Sequence, residues 1–386
     1  MDRSISEGDP HAVLEAMAIA GYAIGASHGL IYIRAEYGLA TDRLRFAIKD
    51  AREKGFLGKN IFGSKFSFDV EIKLGAGAFV CGEDTALIRS MEVFRGEPDK
   101  KPPFPSVSGY RGKPSNVNNV ETFANVPSII LHGAEMFKAL GTNNSSGTKV
   151  FALAGHIRNI GLVEVPMGTT FREIIYDIGG GHPTGKNIKA IQIGGPSGGV
   201  ITPEYFDTPI DYDSLQAIGA MMGSGGMIVM DEDADMVEIA KFYLDFTQDE
   251  SCGKCTPCRI GTKRMYEILH RLTSMEGSPE DLERLRMLGE NIQVSSLCGL
   301  GQTAPNPVLS TLHFFPEEYE AYAYRTKKTA YTIDMKKCIG CTKCARVCPV
   351  SCIVGKVREA HVVTEEDCIA CGACYDACPV DAVLKP

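Results

Sequence analysis

A multidomain chain of mixed α/β class is what the sequence predicts, on three observations. Its 386 residues exceed one ordinary domain of ~100–200 residues, so two to four folding units are expected. Thirteen of its fourteen cysteines lie beyond residue 250, which sets the last third apart chemically. The hydrophobic pattern also changes along the chain: strands and helices alternate to about residue 145, short strands with glycine turns run to 235, and helical periods run to 326. The parts so defined are a partial α/β domain over 1–145, a β-grasp-like domain over 146–235, a helical domain over 236–326 and a small α+β domain over 327–386.

At 44% hydrophobic and 23% charged residues, the composition is that of a globular chain rather than a fibrous or disordered one. A formal net charge of −8 disfavours a broad nucleic-acid face and favours protein and small-molecule partners. The start, MDRSISEGDP, lacks the apolar run of a secretory leader, and the stretch from Ala12 to Ala26 is too short to cross a bilayer and carries Glu15. The expected setting is cytoplasmic. Reducing conditions there favour metal binding or redox chemistry over disulfides as the use of so many cysteines.

Residues 11–27 read as a helix with Leu14, Met17, Ala18 and Gly21 on one stripe, followed by a strand over 30–37 and a second helix over about 40–54. The alternating FSFDVEIKLG over 66–75 then runs through Ala76-Gly77-Ala78-Phe79-Val80-Cys81-Gly82-Glu83-Asp84 into another helix. Strand, glycine turn and helix form a cradle pattern, because glycine lets a ligand approach the backbone and a helix start offers free N–H groups. Helix capping accounts for Glu83 and Asp84 equally well, and both carboxylates would repel a phosphate. In the proline-rich segment 100–122, Phe104 could stack on a flat base and Asn118 and Asn119 could offer amides; core packing and turn formation explain the same residues. Gly180-x4-Gly185-Lys186 approaches a phosphate loop, but Asn187 stands where Ser or Thr must hold magnesium, so that reading is rejected. Beyond the linker GTNNSSG come strand-like KVFALAG, the hairpin-like NIGLVEVPMGTT, a short helix and strand-like IKAIQIGG.

Twelve of the fourteen cysteines form three groups of four. Cys252, Cys255 and Cys258 stand in SCGKCTPCR, and Cys298 returns after two segments of helical period, which places this group in the helical domain. A cluster or a structural zinc would each suit a three-plus-one set of thiolates. Lys254 and Arg259 beside it either raise a cluster's potential or are solvated surface. The other two groups, Cys338-x2-Cys341-x2-Cys344-x3-Cys348-Pro349 and Cys368-x2-Cys371-x2-Cys374-x3-Cys378-Pro379, repeat the bacterial ferredoxin run and specify two [4Fe-4S] clusters. Because the fourth Cys of each run ligates the other cluster, the sets are Cys338, Cys341, Cys344, Cys378 and Cys368, Cys371, Cys374, Cys348. Cys81 and Cys352 are left over and read as small packing residues.

The motifs EGDPHAVLEAMAIAGYAIGA, GAGAFVCGEDTAL, KPPFP, NVNNVET, SCGKCTPCR and SLCGLGQTAPNP together resemble the flavin- and NADH-binding subunit of complex-I-type dehydrogenases, from Asp2 to about Tyr322. The appended two-cluster ferredoxin module is similar to that of the beta subunit of soluble NAD(P)-linked [FeFe]-hydrogenases and of some formate dehydrogenases, and the resemblance favours the hydrogenase. The resemblance implies that Gly82, Glu83, Asn118 and Asn119 meet FMN, that Asp84, Lys101 and Phe104 meet NAD(H) or NADP(H), and that Cys252, Cys255, Cys258 and Cys298 hold a third [4Fe-4S] cluster. It also implies partners: a thioredoxin-like [2Fe-2S] subunit, a hydrogenase or dehydrogenase catalytic subunit, and ferredoxin. Asp84 stands where that family usually has Glu. The family's glycine-rich flavin loop is missing from the sequence, which is expected to expose apolar sheet surface. Two functions follow as expectations: a subunit passing electrons between NAD(P)H, FMN and clusters, or an electron relay that binds no flavin or nucleotide by itself.

Overall fold

The computed structural model describes residues 1–324, 330–369 and 371–385; the expected boundary at 326 lies outside the described residues. Two compact units are present, Met1–His270 with Glu280–Tyr319, and Arg271–Pro279 with Glu320–Pro386.

In the first unit, α1 (Asp2–Gly8) leads into α2 (Pro10–Ile24), whose first turn is fixed by Asp9 accepting from the Ala12 N–H at 3.1 Å. Strand β1 (His28–Arg34), α3 (Gly38–Glu53) and β2 (Asp69–Gly75) form a parallel strand–helix–strand unit, in register from His28 opposite Asp69 to Arg34 opposite Gly75. Alternation along β1 turns Ile31 and Ile33 toward Leu14 and Met17 of α2 and Leu44 and Ile48 of α3, and Val70 of β2 joins that core. On the opposite face Tyr32 bonds Ser90 at 2.9 Å, while Leu74, opposite Ile33 on the core side of β2, is half exposed. A short helical turn then opens α4 (Asp84–Met91), and α5 (Val120–His132) and α6 (Ala134–Lys138) follow the proline-rich segment.

The next part is a five-stranded sheet in the order β4-β3-β7-β5-β6, from β3 (Thr148–Gly155), β4 (Gly161–Pro166), β5 (Ile188–Ile193), β6 (Gly199–Ile201) and β7 (Gly226–Asp231), with α7 (Tyr212–Ala217) before the last strand. The first and last strands lie parallel at its centre and the hairpin and edge pairings are antiparallel. The short helix expected near 175 is a π-helical turn, Glu173–Ile178, which buries the adjacent Ile174 and Ile175 together with Phe171. Phe171→Ala is expected to cost about 3–5 kcal/mol of this unit's stability, read as a lowered denaturant midpoint.

The helices α8 (Met236–Asp249), α9 (Thr262–Thr273), α10 (Pro279–Ser295), α11 (Gly299–Thr303), α12 (Asn306–Phe314) and α13 (Pro316–Ala323) complete the larger part of the chain. Asp235 caps α8, and Ser310 of α12 accepts the Val200 N–H of β6 at 3.0 Å, which ties these helices to the sheet. Among the described residues no helix is long and apolar enough to cross a membrane.

The second unit repeats one pattern twice. Strand β8 (Thr332–Ile333), α14 (Lys343–Val347) and β9 (Ile353–Val354) are followed by β10 (Val362–Val363), α15 (Ala373–Asp376) and β11 (Val383–Leu384). The strands pair across the repeat, β8 with β11 and β9 with β10, both antiparallel. Each cysteine run therefore closes next to the other's start.

Candidate functional site

In the second unit the cysteines surround two small cavities. Cys338, Cys341, Cys344 and Cys378 line the first. Cys348, Cys368, Cys371 and Cys374 line the second, together with Cys352. The walls are otherwise mostly apolar, Ile333, Ile339 and Val383 in one and Val350, Ile353 and Val363 in the other. Burial pushes the Cys344 and Cys374 thiols up. Burial acts the same way on Cys348 and Cys378, but there the backbone N–H groups of the following turn outweigh it and hold both thiols below their ordinary range. Ala382 N–H, for one, donates to Cys378 Sγ at 3.2 Å. N–H groups aimed at sulfur are what a thiolate ligand of an iron–sulfur core needs.

His361 adds an independent sign of what these cavities suit. It is 1% exposed and lines the first cavity; Nδ1 contacts the Glu359 carbonyl at 3.1 Å, while Nε2 has no protein partner. A buried ring nitrogen without a partner costs free energy unless the cavity holds a polar group. Among the described residues, no three His, Cys, Asp or Glu side chains converge closely enough to chelate one ion. Sulfurs around a single zinc stand roughly 3.8 Å apart, given Zn–S bonds of about 2.3 Å. Three thiolates from one run with a fourth from the other, around one apolar cavity, are the donor set of a four-iron core.

The third group lies in the first unit. Cys258 sits in a π-helical turn, Pro257–Gly261, at the start of α9, and Cys298 stands just before α11 with the Leu300 and Gly301 N–H groups facing its sulfur. Burial, reinforced by the neighbouring Cys255, Cys298 and Cys252 sulfurs, pushes the Cys258 thiol up to about 11, against the pull of Ser251, whose hydroxyl lies 3.2 Å from it. Four crowded thiols ionise together only beside a compensating cation, and an iron core supplies one. Gly301 is required by close approach: a Cβ there would lie 2.7 Å from Ser296 and 3.0 Å from Cys258. Lys254 reaches the Pro98 carbonyl at 2.6 Å and Asp99 at 3.1 Å, and Arg259 donates to the Gly253 carbonyl at 2.5 Å. Both cations thus brace the loop. Arg95, which sequence reasoning missed, donates to the Cys252 carbonyl at 2.7 Å from a remote turn that no local pattern marks.

The glycine turn before α4 brings three of the remaining expected residues together. Glu83 caps the helix, accepting from the Ala86 N–H at 2.9 Å, and Lys101 bonds Glu83 at 2.9 Å and Asp84 at 2.5 Å. Burial pushes Asp84 up, but bonds with Glu83 and Lys101 prevail and hold it below the ordinary carboxylate range. The same two carboxylates keep Lys101 above its ordinary range despite partial burial. A Cβ at Gly82 would meet nothing within 4 Å, so its backbone is open to a ligand, and Phe104 is 55% exposed. The asparagines are held separately: Asn118 donates to Asn116 at 2.9 Å, and Asn119 donates to Asp2 at 2.8 Å while capping α5. A cavity of about 620 Å³ lies beside the triad, lined by Thr85, Arg89, Asp99, Lys100 and Pro103 among others. Cys81 packs with Val80 and Ala86.

The chain belongs to the family of flavin- and iron–sulfur-binding oxidoreductase subunits found in NADH-quinone oxidoreductases and related hydrogenases, and its parts match that family's components in order. Residues 1–128 match the Nuo51 FMN-binding domain, 150–201 the SLBB domain, 238–322 the NADH-ubiquinone oxidoreductase-F iron-sulfur binding region and 331–385 a 4Fe-4S dicluster domain. It is 62% identical over 369 residues to the NADP-reducing hydrogenase subunit HndC of Solidesulfovibrio fructosivorans, covering 94% of this chain and 75% of that one. It is 44% identical to an NADH-quinone oxidoreductase subunit of Aquifex aeolicus, over 83% of this chain and 74% of the relative. Among solved structures, an NAD+-reducing [NiFe]-hydrogenase in the H2-reduced state superposes with a TM-score of 0.75 at 34% identity, over 83% of this chain. The present chain spans 54% of that hydrogenase chain.

Proposed function

We propose that the chain serves an NAD(P)H-linked oxidoreductase complex as the subunit that meets nucleotide and flavin and carries three [4Fe-4S] clusters. The ligand sets are Cys252, Cys255, Cys258, Cys298; Cys338, Cys341, Cys344, Cys378; and Cys348, Cys368, Cys371, Cys374. The observation that carries the reading is the pairing of each three-cysteine run with the remote cysteine of the other run around one cavity. FMN is assigned to Gly82, Glu83, Asn118 and Asn119, and the nicotinamide nucleotide to Asp84, Lys101 and Phe104. Bound flavin converts two-electron exchange with a nicotinamide into the one-electron steps that clusters carry. The protein's part is to leave the Gly82 backbone open, set Asn118 and Asn119 at the start of α5, offer the Phe104 ring for stacking and offset part of the Glu83 and Asp84 charge with Lys101. The domain order follows: a flavin-nucleotide α/β domain, a β-grasp-like domain with its first and last strands central, a helical cluster domain and a two-cluster ferredoxin domain. A thioredoxin-like [2Fe-2S] subunit, a hydrogenase or dehydrogenase catalytic subunit and ferredoxin are the proposed partners, and the cytoplasm the proposed setting.

Lys101→Ala is expected to weaken NAD(P)H binding about tenfold, about 1.4 kcal/mol, because two uncompensated carboxylates would then face the nucleotide's phosphates. Iron content should not change, and a nucleotide titration checks both points. The reading itself is tested by anaerobic addition of NADH or NADPH to FMN-supplied protein while cluster signals are followed by EPR. Cluster reduction by nucleotide only when flavin is present is expected. Reduction by dithionite alone, with or without flavin, would leave the chain an electron relay.

A further inference from the structure

We propose that Cys352 is a reserve fourth ligand for the cluster of the second cavity, able to take the iron corner that Cys348 otherwise holds. The inference rests on the assignment of Cys348, Cys368, Cys371 and Cys374 to that cluster. Five cysteines line this cavity, whereas a four-iron core takes four thiolates. The fifth, Cys352, is 4% exposed, and its Sγ lies 3.4 Å from that of Cys348 and next to Cys368. With Cys348 removed, the Cys352 sulfur has about one atomic diameter to cross to reach that corner, which a side-chain rotation with a small shift of the turn supplies.

The repeat within this unit supplies an internal comparison. Cys348-Pro349-Val350-Ser351-Cys352 and Cys378-Pro379-Val380-Asp381-Ala382 occupy equivalent turns, and both place the fourth residue in the left-handed region, with φ of +54° at Ser351 and +48° at Asp381. In both, the backbone N–H of the fifth residue faces the sulfur of the first. Ala382 fills its site at 1% exposure, so packing at this turn is satisfied by a methyl group. The thiol of Cys352 is what the second cavity has and the first lacks.

In the exchange the sulfur–iron bond of Cys348 breaks and its thiolate takes up a proton, while the Cys352 thiol gives its proton to solvent and forms a sulfur–iron bond at the vacated corner, with no change in the iron valences. In Cys348→Ala, the space of the lost sulfur is open to the incoming one.

The test compares Cys348→Ala, Cys378→Ala and the double variant Cys348→Ala/Cys352→Ala in the full chain, by iron per chain and by EPR of the oxidised protein. Cys348→Ala is expected to keep about twelve irons, four per cubane, with no three-iron signal. Cys378→Ala and the double variant should each lose about one iron and show that signal, or lose the affected cluster outright. The inference is overturned if Cys348→Ala loses as much iron as Cys378→Ala, fails to accumulate where Cys378→Ala does, or matches the double variant. Cys374→Ala separates this failure from failure of the assignment itself: unchanged iron in that variant would mean that no cluster sits in the second cavity.

Discussion

Serine in place of Cys378 is expected to change the EPR signal of the cluster whose other ligands are Cys338, Cys341 and Cys344, and to leave the signal of its neighbour unaltered. Cys378 stands far along the chain from those three and close along the chain to Cys371 and Cys374. Nearness along the chain favours the latter, whereas the ferredoxin run implies the crossed set. The strand pairings β8 with β11 and β9 with β10 agree with the crossed set, because they bring the end of each half to the start of the other. A serine oxygen is a harder, less readily ionised donor than thiolate, so the altered corner should bind iron more weakly, with up to about one iron lost per chain. A change confined to the cluster of Cys368, Cys371 and Cys374 would reverse the assignment.

Cys298→Ala is expected to be more damaging still, since Cys298 is the sole ligand of its set contributed from beyond the π-helical turn. Removing it should take iron from about twelve to about eight per chain. The buried Cys258 would be left among thiols without the compensating core, so the helical segment should also lose stability. Electron flow from NAD(P)H to a one-electron acceptor such as a viologen should fall on the order of a hundredfold, about 2.7 kcal/mol in barrier. Iron assay and viologen reduction check the two effects separately. An unchanged rate with four irons missing would take this cluster off the route.

The features legible in the sequence are those that depend on short spacing. The ferredoxin runs can be read because three thiolates on one core must come from adjacent turns, and Pro349 and Pro379 end those turns recognisably. The strand–helix–strand order of the first unit follows from periodicity, although β1 begins at His28 rather than 30 and ends at Arg34, where Arg34 and Glu36 pair at 2.6 Å and the chain turns. Long-range partnerships leave no such trace. Lys101 joins Glu83 and Asp84 through a loop whose length in sequence says nothing of its path. Arg95 reaches the Cys252 loop in the same way. The π-helical turn at 173–178 reads as an ordinary helix because Ile174 and Ile175 satisfy a helical stripe too, and only packing of both against the sheet decides the wider turn. Cys352 reads as a packing residue because the ferredoxin run is complete without it; its place in the second cavity appears only in three dimensions.

The central claim, three four-iron clusters and a flavin on one chain, is tested most directly by assaying iron, acid-labile sulfide, zinc and FMN on one anaerobically purified sample. About twelve irons and about twelve sulfides per chain, with about one FMN after reconstitution and no zinc, is the result expected. About eight irons with one zinc, or no flavin retained at any FMN concentration, would contradict it.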